Sequence, residues 1–158
     1  MAATSSVTEF VDWARSFTPH VDVLINNASS FYPTPLENCD DQQWNDLINS
    51  NLKGPFFIAQ KLAPMLIESK GSIINISDMH ARQALSDHPI YTIAKAGNIA
   101  MTKSMAKDLG PHVRVNSVAP GAILWPEHEQ DDVDKQSSVL SKVPMGRLGT
   151  ESDIAKTA

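Results

Sequence analysis

Residues 72–118 read SIINISDMHARQALSDHPIYTIAKAGNIAMTKSMAKDLGPHVRVNSV, and this stretch decides the fold. It opens on an isoleucine-rich run, Ser72 to Ser77, and closes on a second apolar run, Val113 to Val118. Between them a helix over Ile90 to Leu109 follows Pro89, a residue suited to a first helical turn, and stops at Gly110-Pro111. Strand, long helix, strand predicts two parallel strands joined by a crossover. The same alternation continues upstream. Val7, Phe10, Val11 and Ala14 keep helical spacing behind a Ser5/Ser6 cap and end at Phe17, and Val21 to Ile25 then forms a short strand running into Asn26-Asn27. Pro33 and Pro35 mark a loop. Asp40-Asp41 caps a helix in which Trp44, Leu47, Ile48, Leu52, Phe56, Ala59 and Leu62 recur every three to four residues. A bend is expected near Gly54-Pro55 and an end near Ser69-Lys70-Gly71. Beyond Pro120-Gly121 the pattern dissolves into an acid-rich segment, Trp125 to Lys135, before a helix starts at Thr150 to Ile154. The class is α/β: a parallel sheet with crossover helices on both faces, α/β/α in three layers.

Composition narrows the function. A chain of 158 residues with 42% hydrophobic and 20% charged side chains is an ordinary globular chain of about one domain. Its net charge of -5, with 13 scattered lysines and arginines, argues against a nucleic-acid or anionic-membrane surface. Small molecules, or copies of itself, are the expected partners. The lone Cys39 excludes an internal disulfide, is expected to be half-buried in its loop, and fits a reducing compartment. With no apolar run long enough to span a bilayer and no leader pattern, the cytoplasm is the expected location. Three strands leave sheet edges and helix faces uncovered, and Ala158 falls inside a newly started helix. Residues 1–158 are therefore expected to be a single incomplete domain, cut at both ends.

The chemistry rests on Tyr91-Thr92-Ile93-Ala94-Lys95. Tyrosine and lysine four residues apart leave the same face of a helix. A nearby ammonium favours the phenolate and is expected to lower the phenol's proton affinity, so that tyrosine can deliver the proton that hydride transfer to a C=O or C=N bond requires. Alone, this spacing far more often marks an amphipathic helix with one aromatic and one snorkelling lysine.

The surrounding motifs decide between those readings, because nearly the whole chain resembles the short-chain dehydrogenase/reductase family. Asn26-Asn27-Ala28 after a strand is similar to the family's N-N-A-G motif, and Asn51 in Asn-Leu-Lys-Gly to its mid-helix asparagine. Gly71 to Ser77 resembles the strand before its catalytic residues, Arg114 to Gly121 its strand and P-G turn, and Gly146 to Ala155 the segment after its substrate loop. The resemblance implies a partial Rossmann-type, doubly wound fold and hydride transfer from a nicotinamide. It implies that Tyr91 and Lys95 act with Asn51, which holds a water near Lys95. It further implies cofactor contacts by Asn27, Ala28, Ser29, Ser77, Tyr91, Lys95, Pro120 and Gly121, with Lys95 on the nicotinamide ribose. The family's glycine-rich pyrophosphate turn has no counterpart here, so on the order of 80 to 100 upstream residues, and a C-terminal strand, are expected to belong to the domain. A homotetramer through the two long helices, Asp41 to Ser69 and Ile90 to Leu109, is implied as well.

Two departures from the general family narrow the substrate. Thirteen positions before Tyr91, where most members carry serine, stands Asp78. An ionised carboxylate would repel charge developing on a carbonyl oxygen, but would bind the N-H/NH2 edge of a nitrogen heterocycle. Ser29 replaces the usual glycine, and Phe31 offers a flat face for a planar bicycle. These features resemble pteridine reductases, which reduce pterins and dihydrofolate with NADPH. The resemblance implies stacking by Phe31, cofactor or pterin contact by Ser29, a Tyr91-Lys95-Asp78 proton relay, and Trp125 at the substrate mouth, with Met145 and Arg147 as weaker candidates. Two alternatives stay open: a carbonyl reductase such as an oxoacyl-acyl-carrier-protein reductase, and a non-catalytic binding or oligomerising module. His80 and His88 are expected in solvent-exposed loops, and no metal site is expected.

Overall fold

The computed structural model describes residues 4–123 and 133–158. Helix α1 (Thr4–Phe17) buries Val7, Val11 and Ala14, while Phe10, expected on the same face, is 43% exposed. Thr4 is already helical, so the Ser5/Ser6 pair lies inside the helix rather than at its cap. Strand β1 (Val23–Asn26) follows. Helix α2 (Asp41–Ile48) starts on a reciprocal cap: the Asp40 carboxylate accepts from the Gln43 N–H and the Gln43 side chain accepts from the Asp40 N–H.

The expected bend takes a different form. Residues Asn49–Lys53 wind as one π turn, and α3 (Gly54–Ser69) continues from it through Pro64 without a break. Pro55 sits in the first turn of α3, where its missing N–H is best tolerated. Lys70, left-handed at φ 53, ends the helix, and the Gly71 N–H returns to the Leu66 carbonyl at 2.8 Å. A Cβ on Gly71 would collide with the Asp22 carbonyl, so that turn requires glycine. Strand β2 (Ser72–Ile76), helix α4 (Pro89–Leu109) and strand β3 (Arg114–Val118) lie within a residue of expectation. Helix α5 (Val133–Leu140) was not expected, and α6 (Glu151–Thr157) is capped by Thr150 and Asp153 as a reciprocal pair.

The sheet is parallel in the order β1-β2-β3, with Asn26 opposite Asn75 and Ile76 opposite Val118. Both crossovers step in the same direction, so right-handed connections put their helices on one face. One core results: Val7, Val11 and Ala14 of α1, Leu62 and Leu66 of α3, and Met101 and Met105 of α4 close over Ile73 and Val115. Full burial of each leucine contributes roughly 1.5–3 kcal/mol. The parallel sheet, flanking helices and α/β class are as expected. On the opposite face Val23 and Ile25 remain 50% and 51% exposed, so among the described residues the helical cover is one-sided.

Candidate active site

Parallel strands bring their carboxyl ends to one edge, where α/β proteins place ligand crevices. Here β1 delivers Asn27 to Phe31, β2 delivers Ser77 and Asp78, and β3 delivers Pro120 and Gly121. Helix α4 brings in Tyr91 and Lys95, 5% and 2% exposed. The Tyr91 hydroxyl donates to Asp78 Oδ2 at 2.7 Å. Asp78 Oδ1 accepts the His80 N–H at 2.7 Å, because Asp78 caps a single 3-10 turn, Met79–Ala81. Both carboxylate oxygens are thereby oriented. Lys95 Nζ donates to the Ile76 carbonyl at 3.0 Å and stands 5.6 Å from the centre of the Tyr91 ring.

This geometry corrects one expectation. Tyr91 is pushed far above the ordinary tyrosine range, first by burial and then by the hydrogen bond and negative charge of Asp78. Only the Ser29 hydroxyl works the other way. Lys95 is itself lowered by burial, with the Asp78 charge opposing that shift. Burial and the carboxylate prevail, and in this state the phenol is held protonated.

Asn51 lies in the π turn and is 1% exposed. Both amide atoms are engaged, Nδ2 donating to the carbonyls of Ser30 and Leu47, both at 2.9 Å, and Oδ1 accepting from the Ser29 hydroxyl at 2.6 Å. The side chain expected to hold a water near Lys95 instead braces the Ser29-Ser30 loop, and its main-chain carbonyl faces α4. Ser77 Oγ likewise turns inward, donating to the Lys95 carbonyl at 3.3 Å.

Phe31 is 53% exposed and meets Tyr91 edge-on, with centroids 4.8 Å apart at 72°. One of its faces is already occupied by His88, at 4.7 Å and 10°. His88, expected to be a free loop histidine, is half-buried, as is His80. Cys39 is exposed rather than half-buried. Arg147 pairs with Asp153 at 2.9 Å, and Met145 is 73% exposed. Trp125 lies outside the described residues. Among the described residues no group of three or more acidic, histidine or cysteine side chains could hold a metal ion.

A nicotinamide ribose fits these residues. An ammonium has three donors, and Lys95 engages the Ile76 carbonyl with one, so two are left for ribose hydroxyls. Asn27, Ala28 and Ser29 are exposed beside it, and a side chain added at Gly121 would first meet Met79 Sδ at 3.8 Å, which leaves that edge open.

One residue was misplaced by the sequence reading and one was missed. His88, assigned to an exposed loop, is the residue that caps α4, three positions before Tyr91. Asn98, buried to 1%, follows Tyr91 by seven, and a lone amide between Ala94 and Met101 on an otherwise apolar face was the available signal.

Comparison with known proteins gives a consistent result. A family profile described as enoyl-(acyl carrier protein) reductase matches residues 1–158. The 3-oxoacyl-[acyl-carrier-protein] reductase FabG of Thermotoga maritima is 38% identical over 138 residues, covering 86% of this chain and 56% of the relative. The 2-dehydro-3-deoxy-D-gluconate 5-dehydrogenase of Escherichia coli K12 is 34% identical, covering 94% and 60%. Among solved structures, an apo SCOR enzyme from Clostridium thermocellum superposes with a TM-score of 0.85 at 33% identity, covering 99% of this chain and 61% of that one. The chain thus spans less than two thirds of the length of these relatives.

Proposed function

The chain belongs to the short-chain dehydrogenase/reductase family, a family of oxidoreductases, and from that premise we propose that its protein reduces a planar nitrogen heterocycle of the pterin or dihydropterin class with NADPH. The observation that carries this reading is the 2.7 Å bond from Tyr91 to Asp78. A substrate with an amidine-like N-H/NH2 edge donates to Asp78, withdraws negative charge from the phenol, and frees the Tyr91 proton for the substrate's acceptor atom. A 3-oxoacyl thioester has no such edge, and its developing alkoxide would face the carboxylate directly. Phe31 and the Ser29 hydroxyl complete the recognition side.

Bound at the strand ends, the cofactor would supply a hydride. The residues of this chain do the rest: Lys95 holds the ribose, Asn27 and Ala28 line the cofactor at the end of β1, Tyr91 gives up the proton, and Lys95 restores it. The same reading carries a domain that extends beyond these 158 residues to a glycine-rich phosphate loop, and a cytoplasmic homotetramer. Exposure of Trp44, Phe56 and Ile93 on the long helices supports the tetramer.

A second reading, reduction of a 3-oxoacyl thioester, is favoured by the name of the Thermotoga relative. One experiment separates the two: NADPH oxidation by wild type and Asp78→Ser, with dihydrobiopterin and with an acetoacetyl thioester. The pterin reading expects turnover of the pterin that falls at least about a hundredfold in Asp78→Ser. Thioester turnover that survives or improves in Asp78→Ser replaces it with the second reading.

A further inference from the structure

The Phe31 side chain, on a residue 53% exposed, rides on the loop after β1 rather than in the core. Such a ring moves among its rotamers unless something holds it. Two rings from the start of α4 touch it: His88 lies flat against it, with centroids 4.7 Å apart at 10°, and Tyr91 meets it at 4.8 Å and 72°. Tyr91 is committed to Asp78 through its hydroxyl, whereas His88 has no part in the proton transfer.

His88 is itself fixed. Its Nδ1 stands 2.7 Å from the Ser86 carbonyl, which can only accept, so that nitrogen carries the proton and the ring cannot turn without losing the bond. The His88 main-chain carbonyl accepts the Thr92 N–H at 3.0 Å and so opens α4. One residue earlier, Asp87 is left-handed at φ 59, a conformation that aspartate tolerates better than most residues. Its carbonyl accepts the Thr34 N–H at 2.6 Å, and Thr34 is fully buried three residues beyond Phe31. The loop after β1 and the turn before α4 are therefore joined twice, once by main chain and once by stacked rings. The main-chain bond sets how close the two segments lie but leaves the Phe31 side chain free to rotate. The stack is what selects one orientation.

We propose that His88 is a positioning residue for substrate recognition: its imidazole holds the Phe31 ring in one plane relative to Tyr91, so that a planar substrate meets a preformed shelf. The assignment rests on the reading of Phe31 as the surface on which the substrate stacks. With half of the residue exposed, ring surface remains for a ligand beside the stack. A ring already fixed loses no rotamer freedom when the ligand arrives, so the stack tightens binding without touching the hydride or the proton.

Two variants of the full-length protein separate the ring from the hydrogen bond. His88→Asn keeps a donor for the Ser86 carbonyl and removes the ring, whereas His88→Phe keeps a ring and removes the donor. With NADPH and dihydrobiopterin, His88→Asn should raise KM about three- to tenfold with kcat little changed, and His88→Phe should stay within about twofold of wild type. Without substrate, 19F NMR of protein labelled with 4-fluorophenylalanine, the Phe31 signal assigned by Phe31→Leu, should show that signal in a distinct position in wild type and His88→Phe. In His88→Asn it should move toward the position of the free amino acid. Should His88→Asn fail to fold, His88→Gln makes the same comparison. An unchanged KM in His88→Asn with the Phe31 signal in place overturns the assignment, as does a lower KM, which would mean that His88 occupies the substrate's own place. A loss in His88→Phe as large as in His88→Asn assigns the effect to the Ser86 bond and overturns it as well. A displaced Phe31 signal in a protein that reduces no pterin keeps His88 as the residue that holds Phe31 and removes the substrate reading alone.

Discussion

The two sides of the site are built differently. On the chemical side, Tyr91, Lys95 and Asn51 are 5%, 2% and 1% exposed, the first two on α4 and the third in the π turn between α2 and α3. On the recognition side, Phe31 is 53% exposed, and it and Ser29 ride on the loop after β1. Proton transfer needs fixed donors and acceptors, which a packed helix provides. Selecting among substrates needs surface a ligand can reach, and loops on a rigid scaffold provide that. Mutations on the two sides should therefore fail in different ways.

The largest effect is expected on the chemical side. Tyr91→Phe should lower kcat by about 10²- to 10⁴-fold, while leaving thermal stability nearly unchanged, because the Asp78 oxygen it abandons is only half-buried. A matching loss of melting temperature would blur the distinction. On the recognition side, Phe31→Ala removes a ring contact of about 0.5–1.5 kcal/mol. It should raise KM roughly two- to tenfold with kcat little changed. A kcat loss as large as that of Tyr91→Phe would show that Phe31 supports Tyr91 rather than the substrate. The smallest effect lies outside both sides. Asp153 is lowered to about 2, chiefly by its bond to Arg147 and then by Thr150. A depressed carboxyl stabilises above its unfolded value of 3.8 and loses that contribution as pH falls through about 2. Amide exchange in α6 should accelerate over that window in wild type, change little in Arg147→Gln, and leave the Tyr91 segment unaffected.

What could be read from the sequence follows the same division. Regular spacing revealed the strands and helices, because β2, α4 and β3 are bounded by glycine and proline and carry apolar residues at fixed periods. The Asp40 and Thr150 caps were legible from local chemistry. Periodicity could not tell a covered face from an open one: Phe10 and Trp44 keep the spacing of buried neighbours yet are 43% and 44% exposed. Nor could it find the π turn, since one extra residue per turn leaves a three-to-four pattern almost unchanged. Tyr91, Lys95 and Asp78 were readable as a set, but the balance among them was not. Which charge controls the phenol depends on a 2.7 Å bond and on burial, both of which arise only in three dimensions. The His88 stack on Phe31 and the Asn98 contact with Asn51 join residues whose types alone give no sign of it.

The sequence separations of these polar contacts also bear on how the site comes together as the chain folds. Tyr91 and Asp78 are 13 residues apart, a loop that closes early and at little entropic cost. The Asn98 bond to Asn51 spans 47 residues and the Asn26 bond to Asn75 spans 49, so each must wait for a whole crossover to be laid down. The acid pair can thus assemble while the sheet is still open, and the two longer-range bonds that tie helix to helix and strand to strand are among the last contacts to close.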